Sequence, residues 1–189
     1  MGGFIAQVYQ LETQLHKNSC GDALGCASAL QGRLAEGCTL LEEGISESIR
    51  TGGRRAVHWA WLSEVCRLAG RGEEAWQHAR QALGLARQLK DRGDEAHALY
   101  QLGVVHAHAD ATDVAPAEAH YQQALALAEE LGMRPLVAHC HLGLATLYQK
   151  VGRDAEAQAE LAAAAKLYRA TEMTVWLAKA EAALAQGVS

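Results

Sequence analysis

Gly152-Arg153-Asp154-Ala155-Glu156-Ala157, followed by Leu161, Ala164 and Tyr168, is the stretch that decides how the rest of the chain is read. A glycine–arginine turn runs into a helix-forming segment. The residues at 157, 161, 164 and 168 follow i, i+4, i+7, i+11, which keeps them on one helical face. The same arrangement recurs at Gly70-Arg71-Gly72-Glu73-Glu74-Ala75, with Ala75, Ala79, Ala82 and Ala86. It recurs at Val114-Ala115-Pro116-Ala117, with Ala117, Tyr121, Ala124 and Ala128, and at Gly32-Arg33-Leu34-Ala35-Glu36-Gly37, with Gly37, Leu41, Gly44 and Ser48. Small residues on such a face let a second helix approach near the short end of the usual separation of about 8–10 Å.

The segments before the turns share a second stripe, at i, i+3, i+4, i+7: Trp59, Leu62, Ser63, Cys66; Leu99, Leu102, Gly103, His106; and His141, Leu144, Ala145, Tyr148. The first copy, Gly21, Leu24, Gly25, Ser28, is degenerate, as terminal repeats often are. Equivalent positions Gly44, Ala82, Ala124 and Ala164 are 38, 42 and 40 residues apart, so each unit is a helix–turn–helix of that size. The extra residues of the third unit fall in the polar stretch His108–Asp113. The spacing predicts an N-terminal helix near 4–17, helix pairs near 20–50, 54–91, 94–132 and 135–171, and an amphipathic last helix over about 174–186. Gly93 and Gly132 stand where helices should stop, and Pro135 suits an early helical position. The expected domain is single, 1–189: a leading helix at 1–18, repeats at 19–52, 53–93, 94–133 and 134–172, and a cap at 173–189.

Composition points the same way. The 189 residues are 50% hydrophobic but only 5% aromatic, with two prolines, which argues against a β-sandwich and against disorder. The net charge of −5 is mild and of the wrong sign for a dedicated nucleic-acid binder. Arg54-Arg55 is a basic pair without interleaved aromatic residues. No apolar run approaches the roughly 18 residues of a membrane span. The N-terminus has no basic region followed by an apolar core, so the expected compartment is the cytoplasm. Cys20, Cys26, Cys38, Cys66 and Cys140 are an odd set without a C-x-x-C pair, and read as small buried thiols of a reducing compartment.

These features resemble the tetratricopeptide repeat (TPR) family. The small residue of the first helix, the alanine opening the second and the later alanine in its middle are Ser63/Ala75/Ala82, Gly103/Ala117/Ala124 and Ala145/Ala157/Ala164. The resemblance covers roughly 20–171 and implies an all-α, right-handed superhelix of nine or ten antiparallel helices. The units are longer than the common one of about 34 residues, and the closing proline is missing. The run 137–148, with Gly152-Arg153, Met173–Leu177 and Ala180–Leu184, is also similar to the C-terminal repeat region of bacterial class III adenylate/guanylate cyclase–ATPase regulators. That likeness implies a sensory or scaffolding portion. The cyclase metal carboxylates and a G-x-x-x-x-G-K-[ST] loop are absent, so neither activity carries over.

In the family the first helix of each pair lines a concave groove. The resemblance therefore assigns groove positions to Trp61, Glu64 and Arg67, to His97, Tyr100, Gln101 and Val104, and to His139, Leu142, Thr146, Gln149 and Lys150. The mixture is polar, aromatic and nearly neutral, suited to an extended or helical peptide. The lysine/asparagine clamp for a chaperone tail is absent. His97 and His139 add groups that would titrate between about pH 5 and 8. No catalytic nucleophile signature is present. His139-Cys140-His141 and the His106/His108 pair diverge on a helix, so no metal and no cofactor are expected. Trp59 and Trp76 read as packing residues, Trp176 as the seal of the last helix, and Trp61 as an off-stripe contact. The function expected is a non-catalytic, regulatory protein–protein interaction module whose partner is a protein or peptide, not nucleic acid or membrane. The alternatives are a homo-oligomerisation module, with a homodimer as partner state, and a small-molecule or metal sensor using the histidine-bearing groove.

Overall fold

The computed structural model describes residues 33–50, 56–109 and 114–186. The helix expected near 4–17, the first half of the first pair, Arg54-Arg55 and the residues 110–113 of the third unit's insertion lie outside the described residues. Among the described residues every regular element is an α-helix: α1 Leu34–Arg50, α2 Ala56–Leu68, α3 Gly72–Leu89, α4 Arg92–Ala109, α5 Ala115–Glu130, α6 Arg134–Lys150, α7 Asp154–Ala170 and α8 Thr174–Gln186. None of these helices is long and apolar enough to cross a membrane.

The predicted faces are the buried ones. Ala75, Ala79, Ala82 and Ala86 of α3 are fully buried, and so are Ala117, Ala124 and Ala128 of α5. In α7 the buried set Ala157, Leu161, Ala164 and Tyr168 gains Ala165. The stripe of α1 departs from expectation. Cys38 and Ile45 join Gly37 and Leu41 in the interior, while Gly44 and Ser48 are only half-buried. The larger apolar side chains take the interior there because they remove more apolar surface from water than glycine or serine would.

Within each unit, tight turns join α2 to α3, α5 to α6, α6 to α7 and α7 to α8, and make those neighbours antiparallel. Gly70, Gly132 and Gly152 adopt positive φ at three turns. The stop predicted at Gly93 falls instead at Lys90, whose φ of 57° is left-handed, and Gly93 lies inside α4. Asp91 explains how α4 starts so soon. Its Oδ1 accepts a hydrogen bond from the Asp94 N–H at 3.0 Å, an N-cap that satisfies a donor in the first turn. Pro135 occupies the early position expected of it in α6.

The chain gathers into two compact units, one through Asp94 and one from Glu95. In the first, α2 packs against α1 and α3. Ser63 of α2 is fully buried, and its Oγ donates to the Ala75 carbonyl at 2.7 Å, joining the small residue of the first helix to the opening alanine of the second. In the second unit α6 packs against α5 and α7, and α8 against α7. Tyr121 of α5 reaches both first helices. A methyl group at Gly103 or at Gly143 would stand 2.7 Å from its ring, so both helices need glycine where the ring lies. Val104, Leu144, Leu147 and Tyr148 complete the core around it.

The turn arginines recur structurally as well as in sequence. Arg33, Arg71 and Arg153 each pair with the glutamate three residues on, Glu36, Glu74 and Glu156. These hydrogen bonds hold the Glu74 and Glu156 carboxyls below the usual carboxylate range. Arg71 also lies 3.8 Å from Glu42 of α1, and Arg153 lies 3.0 Å from Glu118 of α5. Glu118 further accepts the Tyr148 hydroxyl at 2.8 Å, while the Arg153 guanidinium lies 4.0 Å from the centre of the Tyr148 ring. Two successive second helices are thus tied through one turn.

Candidate functional site

The twelve positions assigned to the groove divide by burial. In the first unit, the Trp61 ring is half-buried and lies 5.4 Å from the His58 ring. Glu64 is buried, and the Arg67 guanidinium donates to both its carboxylate oxygens, at 2.8 and 2.7 Å. A planar fork meeting a carboxylate in two parallel bonds is the strong form of this pairing. Arg67 therefore neutralises a buried acid as well as presenting a half-buried side chain.

In the second unit, Gln101, Val104 and His139 are interior residues, with exposures of 5%, 8% and 4%. Val104 belongs to the core around Tyr121. His139 is hydrogen-bonded through Nδ1 to the Tyr168 hydroxyl at 2.7 Å, and meets the Trp176 ring edge-on at 4.8 Å. Burial, reinforced by His97 and Lys179, pushes its pKa down to about 3. His139 thus stays neutral across the range in which an ordinary imidazole titrates, unlike the groove histidine expected from sequence.

The remaining positions reach the surface. His97, Tyr100 and Leu142 are half-buried, and Thr146, Gln149 and Lys150 are exposed. Lys150 Nζ donates to the Ala107 carbonyl at 2.6 Å, placing a cation at the C-terminal end of α4, where the helix dipole favours it. Thr146 Oγ1 donates to the Leu142 carbonyl of its own helix. Tyr100 lies 5.9 Å from the Tyr121 ring and 6.2 Å from the His139 ring. The partly exposed tyrosine is therefore backed by two buried aromatic rings.

This aromatic series continues through residues the groove assignment missed. Trp176 lies 6.1 Å from Tyr168, and Lys179 Nζ lies 4.2 Å from the centre of the Trp176 ring. Tyr168 was legible on the stripe of the second helix, but its hydroxyl's partner was not. His141, a stripe residue, is 2.6 Å from Glu160 of α7. His106 and His120 stack at 5.0 Å, while His120 and His108 engage the carbonyls of Pro116 and Val104 through Nδ1. Among the described residues no three His, Cys, Asp or Glu side chains gather as a metal site requires.

No protein-family model matches the sequence, and no curated protein matches it. Solved structures do match. BtubC from P. vanneervenii superposes with a TM-score of 0.64 at 19% identity, over 80% of this chain and 63% of that one. The apo form of RapI superposes with a TM-score of 0.65 at 12% identity, over 96% of this chain and 53% of that one. A STAND protein with a tetratricopeptide repeat sensor from Pyrococcus horikoshii gives 0.65 at 18% identity, over 85% of this chain and 25% of that one. The chain thus spans less than two thirds of each of these three proteins. A TPR protein of Thermus thermophilus gives 0.52 at 20% identity, over 88% and 89% of the two chains. With the small-residue stripes buried in paired helices, these likenesses establish the fold as that of a tetratricopeptide-like helical repeat protein.

Proposed function

We propose that the chain is a non-catalytic docking module that binds a protein or peptide partner on the first-helix surface of its second unit, through His97, Tyr100, Leu142, Thr146 and Gln149. The observation that carries this reading is Tyr100. It is a large side chain, partly exposed on α4, and its ring is backed by Tyr121 and His139. A tyrosine already held by packing loses little conformational freedom on binding, which is the property of an aromatic anchor. Thr146 and Gln149, one helix over, supply polar groups for a peptide backbone. Trp61 and Arg67 of α2 are proposed as a separate contact of the first unit. The similarity to the tails of cyclase–ATPase regulators supports a role in signalling, as a sensory or scaffolding part, and the expected compartment is the cytoplasm.

The test is affinity capture of a partner from cell lysate, followed by titration of that partner against folded variants. Tyr100→Ala should weaken binding by about 1–2 kcal/mol, roughly 5- to 30-fold. Wild-type binding by Tyr100→Ala, with loss on changing exposed Gln122 or Lys166 of the second helices, would put the working surface on the other face. A dimeric solution mass that Tyr100→Ala reduces to monomer would identify a second copy of the chain as the occupant.

A further inference from the structure

Cys38 of α1 and Cys66 of α2 are 28 positions apart in sequence, yet their sulfur atoms stand 3.8 Å from each other. Both are free thiols, with exposures of 1% and 0%. That separation is van der Waals contact between two sulfurs on different helices, and closing it to a bond length of about 2.05 Å needs side-chain movement of under about 2 Å. The surroundings are not uniformly apolar. Arg71, in the turn after α2, acts electrostatically on Cys66, and the same guanidinium lies 3.8 Å from Glu42, one helical turn beyond Cys38. The dithiol therefore lies beside a polar seam between α1 and the α2–α3 turn.

We propose that Cys38 and Cys66 are a reversible redox pair, forming a disulfide that fastens α1 to α2 when the protein meets a low-molecular-weight disulfide oxidant. One cysteine, as thiolate, attacks a sulfur of the oxidant, whose S–S bond breaks to release one small thiol. The second cysteine, as thiolate, attacks the mixed disulfide and releases the other small thiol. The protein has then lost two protons and two electrons, and the oxidant has become two thiols. Burial, and after it the neighbouring Cys38, pushes the Cys66 thiol up to about 12, so attack is slow while α1 is seated. The route to the sulfurs is local opening of α1. That helix is held by a short buried set, Gly37, Cys38, Leu41 and Ile45, and its other face is exposed. Segments with few buried contacts open at lower free energy than the whole molecule. Re-seating α1 brings the second sulfur onto the mixed disulfide and completes the bond.

The experiment uses the full chain under native conditions with oxidised glutathione as probe. After thiol blocking and proteolysis, mass spectrometry should find the Cys38 and Cys66 peptides joined, and a thiol reductant should separate them. Oxidation should raise Tm by roughly 5 °C or more, because the cross-link removes conformations from the unfolded chain. A variant in which Cys20, Cys26 and Cys140 are replaced by serine should keep both effects, and adding Cys38→Ala should abolish both. Should that triple variant fail to fold, the peptide map of the wild-type protein decides alone. The proposal is overturned if Cys38 and Cys66 stay as blocked thiols after native oxidation, if they pair only with other cysteines, or if their bond appears only in denaturant.

Discussion

A methyl group added to Gly103 of α4 would stand 2.7 Å from the Tyr121 ring, and one added to Gly143 of α6 would stand as close. The ring is itself 3% exposed, with core side chains around it, so it has no open space to retreat into. Each Gly→Ala change should therefore lower stability by about 1–3 kcal/mol through overpacking, although alanine is the better helix former. Urea denaturation of the two single variants measures this, and unchanged midpoints would show that the ring can yield. Gly103 was legible in the sequence because it occupies the small-residue position of its repeat. Gly143 was not, since the repeat pattern puts Ala145 there. Its requirement comes from one tyrosine on another helix, which no local pattern encodes.

At the level of the helix and its turn, Lys90 and Gly70 make opposite predictions. Both end helices with positive φ, 57° for Lys90 and 77° for Gly70, and a Cβ at Gly70 would meet nothing within 4 Å. The cost of a side chain there is thus one of backbone conformation, about 1–2 kcal/mol for a left-handed residue other than glycine. Gly70→Ala should destabilise by about 1 kcal/mol, and Lys90→Gly should stabilise by a few tenths to about 1 kcal/mol. Thermal melts of both variants read the signs. Gly93 is the stop the sequence predicts, because glycine is the common signal. The helix ends earlier because the Asp91 N–H reaches the Ala86 carbonyl at 2.9 Å and the Asp91 side chain at once caps α4. An aspartate that caps the next helix competes with glycine as a boundary marker, and only the hydrogen bonds decide between them.

For the molecule as a whole, one buried and two half-buried histidines set the response to acid. His139, His78 and His106 all have pKa values lowered from 6.5, in each case chiefly by burial. A histidine depressed in the folded state takes up its proton first in the unfolded chain. Its contribution to stability is therefore full above about pH 6.5 and is lost as pH falls below that, down to about 3 for His139. The slope approaches about 1.4 kcal/mol per pH unit for each fully depressed histidine. Stability should fall measurably between pH 7 and pH 5, followed by urea midpoints, and His139→Gln should flatten the fall. A midpoint flat across that interval would mean that His139 is reached by water.

Among the described residues, the sequence by itself determined the helices, their pairing and the buried faces of the second helices α3, α5 and α7. Those properties follow from periodicity, and periodicity is local: Ala75, Ala79, Ala82 and Ala86 must share a face in any α-helix, and small residues there admit a close neighbour. It also identified Tyr100 and Arg67 as residues beside the buried stripe. What it left open depends on contacts between helices. Glu64, Gln101, Val104 and His139 stand at positions the resemblance assigns to a groove, yet they are buried, because α2, α4 and α6 bury half or more of their residues and not one stripe alone. Only the tertiary structure brought Tyr168 and Trp176 onto His139, set Arg153 against Glu118, and placed the sulfurs of Cys38 and Cys66 in contact. Such partners lie tens of positions apart in sequence, and their meeting depends on the rotation and offset of whole helices, which no single helix's pattern carries.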